Sequence, residues 1–339
     1  MPTRQAYVVP KAGSLRNITR QQEELPPPGP HEVTVAVRAI GLNYADLFAI
    51  MGLYSATPKG TFVPGLEYAG EIVAVGSAVR THRPGQRIMG VTRFGAYATH
   101  LNIDARYALP LPGAWSFAEG AAYLVQVLTA YYALVPLGNL RAGQTVLIHS
   151  AAGGVGLQAN RLAKRLGAYT VGVVGSAAKV PLLEREGYDG WVVREPRFKQ
   201  DVMAALKGRA LNLVLEAAGG KYFTWSYELL APQGRLVTYG SATFSPSGPR
   251  PNYLELVWKF LRRPRLDPLR MPTQNKSVMA FNLIWLYEKA DLLHQLVDEI
   301  AALHLPAPLV GHTYPFAELP KALDVFLAGQ TTGKVVIET

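Results

Sequence analysis

Val146-Leu147-Ile148, followed by His149-Ser150-Ala151-Ala152-Gly153-Gly154-Val155-Gly156, is the stretch that leaves this chain the fewest choices. The apolar, branched opening reads as a buried parallel strand. A glycine-rich turn follows. Leu157, Leu162, Ala163 and Leu166 then recur at helical spacing as far as Gly167, a helix stop. Strand, tight glycine turn and helix together present free backbone N–H groups, and the positive end of a helix dipole, to a pyrophosphate. Alanine at Ala151 is small enough for the turn, Gly153 admits the phosphates, and Gly156 lets helix and strand pack closely.

The surroundings extend this unit. Strand-like runs follow at Thr170 to Val174, Trp191 to Val193, Leu211 to Leu215 and Leu236 to Tyr239, with a helical stretch from Ala177 to Glu186. The alternation predicts a doubly wound parallel sheet. Upstream the texture differs. Gln5 to Val9, Val33 to Ala39, Glu71 to Val75 and Arg87 to Gly90 read as short strands separated by Gly and Pro, as in a small β-barrel-like domain. Gly41 to Met51 reads as a short helix carrying Asn43, Tyr44 and Asp46. Ser116 and Glu119 form a capping box that opens a long helix running to about Leu134. Beyond Gly240 a loop at Ser245 to Pro251 precedes an apolar helix, Tyr253 to Leu261, and Met271 to Gln274 is another loop. Ser277 to Lys289 and Asp291 to Leu303 read as helices, Pro315 to Leu327 as a helical tail, and Gly333 to Ile337 as a last strand.

The boundaries expected from this pattern are a β-rich domain over 1–122, to which 290–339 returns, and a nucleotide-binding domain over 123–289 with an inserted helical segment around 245–289. Length alone favours two domains, and an apolar content of 49% supplies their cores. The opening Met1-Pro2-Thr3-Arg4 has no apolar signal region and no run is read as reaching transmembrane length, so a cytoplasmic location is expected. There is no cysteine, which removes disulfides and thiolate metal ligands together. The net charge of +10 is mostly dispersed, and no nucleic-acid module accompanies it.

At these residues the chain resembles the medium-chain dehydrogenase/reductase superfamily over essentially its whole length. The fold this implies is α/β: a GroES-like β-rich domain plus a Rossmann domain with a doubly wound parallel sheet. Gly143-Gln144, Leu147 and Ala151-Ala152-Gly153-Gly154 with Gly156 resemble the quinone-oxidoreductase signature, which continues to a basic residue matched by Lys164. Arg161 stands where that signature usually has Gln. Pro64-Gly65-Leu66-Glu67-Tyr68-Ala69-Gly70 resembles the family's Gly-His-Glu stretch, with Leu66 in place of the zinc-binding His. Asn43 stands where zinc-dependent members have a Cys ligand. Leu230, Pro232 and Gly234-Arg235-Leu236-Val237-Thr238-Tyr239-Gly240-Ser241-Ala242 are similar to the vesicle amine transport protein homologues, a branch of the quinone-oxidoreductase-like group.

Without thiolates a catalytic zinc of the usual kind has no ligands, so no metal is expected. The resemblance implies a zinc-independent oxidoreductase that reduces quinones or α,β-unsaturated carbonyls by hydride transfer from NADPH. NAD-selective folds place Asp or Glu about 20 residues past the glycine motif. Here Val174 is followed by Gly175-Ser176-Ala177-Ala178-Lys179, with no carboxylate to repel a 2′-phosphate. Lys179 is either the partner of that phosphate, as the resemblance implies, or an exposed helix lysine. A tyrosine used nearby in that group is Val193 here, and Arg194 is placed to compensate.

The resemblance implies cofactor contacts from Ala152, Gly153, Gly154, Val155, Gly156, Ser176, Lys179, Arg194, Gly240 and Lys334. It places Asn43, Tyr54 and Thr129 beside the nicotinamide. Tyr54 matches a tyrosine that related enoyl-thioester reductases use as proton donor. Its other reading is a cleft-lining aromatic, as Asn43's is a turn cap. Asp46 is read as a structural helix residue, and His149 as the end of a strand.

A homodimer joined edge to edge through the Rossmann sheets is also implied. One stretch points elsewhere: Leu254, Val257, Trp258, Phe260 and Leu261 lie beside Lys259, Arg262, Arg263 and Arg265. An apolar face flanked by cations suits an anionic membrane surface, or else covers the cleft or a dimer interface.

Overall fold

The computed structural model describes residues 3–194 and 196–339; the opening Met1-Pro2 lies outside them. Thr145–His149, buried along its whole length, is the central strand of a six-stranded parallel sheet. Tyr169–Val174 and Gly190–Val193 continue the sheet on one side, and Leu213–Glu216, Arg235–Thr238 and Ser277–Ala280 on the other. Chain order reverses between Thr145–His149 and Leu213–Glu216. This is the doubly wound order in which ligands settle beyond the carboxyl ends of the strands, at the reversal. The glycine turn leaves the sheet at that point. Helix Gly154–Arg165 follows it, burying Leu157, Ala159, Leu162 and Ala163 and carrying Lys164 and Arg165 in the last turn, where cations suit the dipole. Gly167, at φ 75°, closes it.

The second sheet is mixed. Its seven strands run in the order Val310–Pro315, Lys334–Glu338, Glu32–Gly41, Glu67–Val75, Arg87–Val91 and Ala108–Pro110, with His100–Asp104 also on Glu32–Gly41. Two register shifts between Glu32–Gly41 and Glu67–Val75 bend the sheet. Thr3–Val8 and Thr19–Glu24 form a separate antiparallel pair. The carboxyl-terminal strand Lys334–Glu338 pairs antiparallel with Glu32–Gly41, so Lys334 enters beside Gly41 and Asn43 although most of the chain separates them.

Ser277 to Lys289 is not one helix. Ser277–Ala280 is a strand, Phe281 and Asn282 follow, and a single helical turn spans Leu283–Leu286. Asn275, left-handed at φ 52°, separates the strand from the one-turn helix Met271–Gln274, where a loop was expected. The open edge of Arg235–Thr238 then captures Val278 and Met279 in parallel register. Pairing to an existing edge overrides the helical spacing of this short apolar run.

The helix opened by Ser116 is also broken. Its capping box is present, with the Glu119 N–H donating to Ser116 Oγ at 3.2 Å and the Ser116 N–H to Glu119 Oε2 at 2.7 Å. Helix Phe117–Ala121 nevertheless stops, resumes as Leu124–Tyr132 and ends in a π-turn, Ala133–Leu137, around Pro136. Glu67 Oε2 accepts the Val125 N–H at 3.1 Å, taking up an amide that the break releases. The whole stretch Phe117–Leu137 is long and apolar enough to cross a membrane, contrary to the expectation that no run is; 67% of its most apolar window is buried inside the protein. It packs in the largest apolar cluster, joining residues of both sheets. The tail differs slightly: Val310–Pro315 is an additional strand, and the helix proper is Leu319–Leu327.

Candidate functional site

A cleft of about 1010 Å³ runs between the two sheets, and the glycine turn forms its floor. Gly153 caps helix Gly154–Arg165 with φ −89° and ψ 169°. A Cβ on Gly153 would press on Ser150 O at 3.3 Å, so glycine keeps the turn tight there. Gly156 is tighter still: a Cβ there would lie 2.6 Å from Ala151 Cα, because helix and strand touch. At Gly154 a Cβ would meet Gln126 Oε1 at 2.8 Å. The turn is closed from outside by Gly333, whose N–H donates to Ala152 O at 2.8 Å. Ala152, Gly153, Gly154, Val155 and Gly156 all line the cleft.

Gln126 leads from the turn into a buried polar network. Its Nε2 donates to Asn43 Oδ1 at 2.8 Å and to Glu67 Oε1 at 3.1 Å. Asn43 Nδ2 donates to the same Glu67 oxygen at 3.0 Å. Lys334 Nζ donates to Asn43 Oδ1 at 2.8 Å and forms an ion pair with Glu67. Glu67 and Lys334 are 1% and 3% exposed, so this pair is held in low dielectric by its own hydrogen bonds. The Lys334 ammonium has three hydrogens, and these two partners leave one. Burial lowers the Lys334 pKa, and Glu67 opposes the shift. Asn43 also serves the backbone, its N–H donating to Asp46 Oδ2 at 2.8 Å.

Asp46 accepts the Tyr97 hydroxyl at 3.0 Å as well, while its Oδ1 is buried without a partner among the described residues. Burial pushes the Asp46 carboxyl up to about 7, against the pull of the Asn43 amide and the Tyr97 hydroxyl. His149 is fully buried, its Nε2 2.9 Å from Ser226 Oγ, and burial drops its pKa to about 3, so it is neutral.

The apolar end of the cleft is formed by Leu53, Tyr54, Leu66, Phe281, Leu283, Ile284 and Tyr287. The Tyr54 hydroxyl donates to Asn282 Oδ1 at 2.7 Å. Burial raises the Tyr54 phenol to about 12, with the Asn282 hydrogen bond pulling the other way. The phenol therefore keeps its proton throughout the neutral range. Thr129, also in the wall, donates its hydroxyl to Val125 O at 2.6 Å and offers only lone pairs to a ligand.

At the opposite end Gly240 lines the cleft beside Ala217. Ser176 is not in the wall; it caps the turn at Ala177, accepting the Ala178 N–H at 3.3 Å. Lys179 lines the cleft with its Nζ donating to the Gly329 and Thr331 carbonyls at 2.8 Å each. Arg194 faces it, its guanidinium 5.6 Å from the Tyr222 ring centroid. Burial lowers the pKa of both cations; the Arg194 charge adds to the shift at Lys179, while Tyr222, Glu216 and Tyr44 oppose the shift at Arg194.

Sequence reasoning thus gathers Asn43, Tyr54, Thr129 and the glycine turn into one cleft but misses Gln126, Asn282, Tyr287 and Tyr222. Gln126 carried a signal, being a polar residue inside the apolar run Ala121 to Leu134. Asn282 carried none.

Comparison with known proteins places this geometry. Residues 29–113 match the family model described as alcohol dehydrogenase GroES-like domain, and residues 192–337 the one described as zinc-binding dehydrogenase. The synaptic vesicle membrane protein VAT-1 homolog of Rattus norvegicus is 33% identical over 315 residues, covering 92% of this chain and 78% of the relative. The quinone oxidoreductase of Escherichia coli, solved in complex with NADPH, superposes with a TM-score of 0.84 at 25% identity, covering 100% of both chains. The CurK enoyl reductase superposes with a TM-score of 0.81 at 26% identity and 99% coverage of both. This chain belongs to the medium-chain dehydrogenase/reductase superfamily, in its quinone-oxidoreductase-like group and close to the VAT-1 homologues. It is an oxidoreductase fold with a GroES-like part and a Rossmann part.

Proposed function

We propose that this protein is a zinc-independent, NADPH-dependent reductase of quinones or α,β-unsaturated carbonyls. The observation that carries the reading is the continuity of the cleft. It runs from an open glycine turn at a helix N-terminus, past a buried polar network, to an apolar end where a tyrosine hydroxyl waits. The Escherichia coli neighbour's NADPH complex and the enoyl reductase neighbour support it.

The residues fit the cofactor. The amides from Gly153 to Gly156 and the dipole of their helix suit the diphosphate, and all four residues line the cleft. Arg194 Nε, buried without a partner among the described residues, offers a donor to an anion at the adenosine end. Asn43, Thr129 and Lys334 stand where the nicotinamide end would lie. When bound there, NADPH supplies a hydride.

The protein's part is to orient the acceptor, exclude water and receive charge on the acceptor's oxygen. Leu53, Phe281, Leu283 and Ile284 make a dry slot for a flat, uncharged acceptor. Tyr54 donates its hydroxyl hydrogen to the oxygen on which charge develops. Turning the Asn282 amide over presents its N–H to the phenol oxygen and frees that hydrogen. A phenol held near 12 stabilises any oxyanion by hydrogen bonding, and yields its proton outright to an oxygen more basic than itself. In this chain the Lys334 ammonium, balanced by Glu67, occupies the polar centre flanked by Asn43 and Leu66, the positions of the zinc ligands in metal-dependent relatives. Consumption of NADPH with a panel of quinones and enals tests the reading. Turnover of at least one class is expected; tight NADPH binding with no acceptor turned over overturns it.

A second reading rests on one separate observation. Helix Tyr253–Leu261 buries no residue, and Leu254, Val257, Trp258, Phe260 and Leu261 are all exposed. Arg262 stacks on Trp258 at 4.2 Å and Arg263 on Phe260 at 3.8 Å. This amphipathic helix suits an anionic membrane surface, and the rat relative is named a vesicle membrane protein. Flotation with anionic liposomes, lost when Arg262 and Arg263 are both changed to Glu, supports it; no flotation of the unaltered protein ends it. The edge strand Ser277–Ala280 is the place for an edge-to-edge homodimer, and sedimentation analysis reads that directly.

A further inference from the structure

We propose that Tyr287 is a second hydrogen-bond donor to the acceptor's oxygen, so that two phenols, Tyr54 and Tyr287, meet one developing oxyanion. The proposal rests on the reductase reading and adds a catalytic residue to it.

Tyr287 directly follows the single helical turn Leu283–Leu286. Residues three and four apart share one face of a turn, so Leu283, Ile284 and Tyr287 all line the cleft while Trp285 is exposed. The backbone there is clamped from the mixed-sheet part. The Tyr107 hydroxyl donates to Tyr287 O. Arg93 Nη1 donates to Glu288 Oε1 at 2.6 Å, and its guanidinium carbon lies 5.2 Å from the Trp285 ring centroid. A donor on a braced backbone needs no rearrangement when charge develops in front of it.

The phenol itself has no structural task. Tyr287 is 3% exposed, yet its hydroxyl has no hydrogen-bond partner among the described residues. Unlike the orphaned Tyr68 hydroxyl, it is not sealed inside the protein; the little accessibility it keeps opens on the cleft. Phenylalanine would fill the same wall, as Phe281 does, without the cost of an unused hydroxyl. An acceptor oxygen in the cleft removes that cost.

The groups around Tyr287 decide its role. Burial pushes its phenol well above the ordinary range, and Glu67, Tyr54 and Asp46 push it further. The Tyr287 phenol thus stands within the field of the buried carboxylate and of the first tyrosine. Tyr54, held near 12, is the more acidic of the two. A division of labour follows. Once hydride is added to the acceptor's carbon, the displaced π-electron pair moves onto the oxygen and both hydroxyls hydrogen-bond that oxyanion. The neutralising proton comes from Tyr54 or from water. Tyr287 donates a hydrogen bond and keeps its hydrogen.

Two measurements on the unaltered protein and Tyr287→Phe test this. The first is steady-state kinetics with NADPH and an enal or a quinone. Tyr287→Phe should lower kcat by roughly 10- to 100-fold for both acceptor classes alike, with KM little changed, because a neutral carbonyl gains far less from the donor than an oxyanion does. The second is the ionisation of 4-nitrophenol bound in the presence of NADP⁺, followed by the absorbance of its phenolate, which stands in for the oxyanion. Bound to the unaltered protein it should ionise at lower pH than in water, and Tyr287→Phe should raise that pH by about one unit. If Tyr287→Phe does not fold, Tyr287→Met carries the same expectations. An unchanged kcat, a loss confined to KM, or the same nitrophenol ionisation in both proteins overturns the proposal, as does failure of the unaltered protein to bind 4-nitrophenol. Failure of the unaltered protein to turn over any acceptor overturns the reductase reading itself, and the nitrophenol ionisation then still reads the donor.

Discussion

The Tyr54 hydroxyl donates to Asn282 Oδ1 at 2.7 Å, across 228 residues of sequence. Tyr54 follows the helix of the first, mixed-sheet part; Asn282 follows the last strand of the parallel sheet. Each part of the chain therefore contributes half of the group proposed to meet the acceptor's oxygen. Tyr54→Phe should lower kcat for enals by roughly 100-fold or more, the scale of a lost general acid. With quinones the loss should be under about tenfold, since water can protonate the more stable oxyanion formed there. Steady-state rates on both acceptor classes measure this, and equal losses would contradict the assigned role.

The Glu67–Lys334 pair should respond asymmetrically to removal of its partners. Lys334→Met leaves Glu67 with the Asn43 Nδ2, Gln126 Nε2 and Val125 amide hydrogens. Glu67→Gln leaves the ammonium buried against Asn43 Oδ1 and a neutral amide. Glu67→Gln should therefore cost more, about 3–5 kcal/mol, and Lys334→Met less. The double variant should be more stable than Glu67→Gln alone. Urea denaturation of the four proteins of this cycle decides it.

Asp46 sets a pH dependence. Its carboxyl is raised from 3.8 to about 7 by burial, so between those values the folded protein holds a proton that the unfolded chain has released. Stability contributed by this group is greatest near pH 4 and falls as pH rises to about 7, by up to about 4 kcal/mol. Asp46→Asn keeps an acceptor for the Asn43 N–H and the Tyr97 hydroxyl but has no charge to gain. Thermal melts from pH 5 to 8 should therefore show a flatter Tm profile for the variant than for the unaltered protein; parallel profiles would contradict this.

What was legible in the sequence was what local spacing encodes. The strand, turn and helix from Val146 to Gly167 have their signals inside a short window, and so does the capping box of Ser116 and Glu119. Ser277 to Lys289 was misread because its strand exists only as the sixth neighbour of Arg235–Thr238, a partner that local periodicity does not reveal. The break after Ala121 was hidden for a related reason: the Glu67 carboxylate that takes the Val125 amide lies 58 residues away. Lys179 shows the same limit at the site. Sequence could show that no carboxylate follows Val174, but not that the lysine would also tie down the carbonyls of residues 329 and 331, leaving one ammonium hydrogen toward the cleft.

The most direct measurement is a titration with NADPH, followed by nicotinamide fluorescence, of the unaltered protein and Gly153→Asp. Gly153 has an ordinary φ of −89°, and a Cβ there would press only on Ser150 O, at 3.3 Å, so the variant should fold while adding a negative charge at the helix N-terminus proposed to hold the diphosphate. The account predicts saturable binding to the unaltered protein and its loss in the variant. Failure of the unaltered protein to bind, or equal binding by Gly153→Asp, would contradict it.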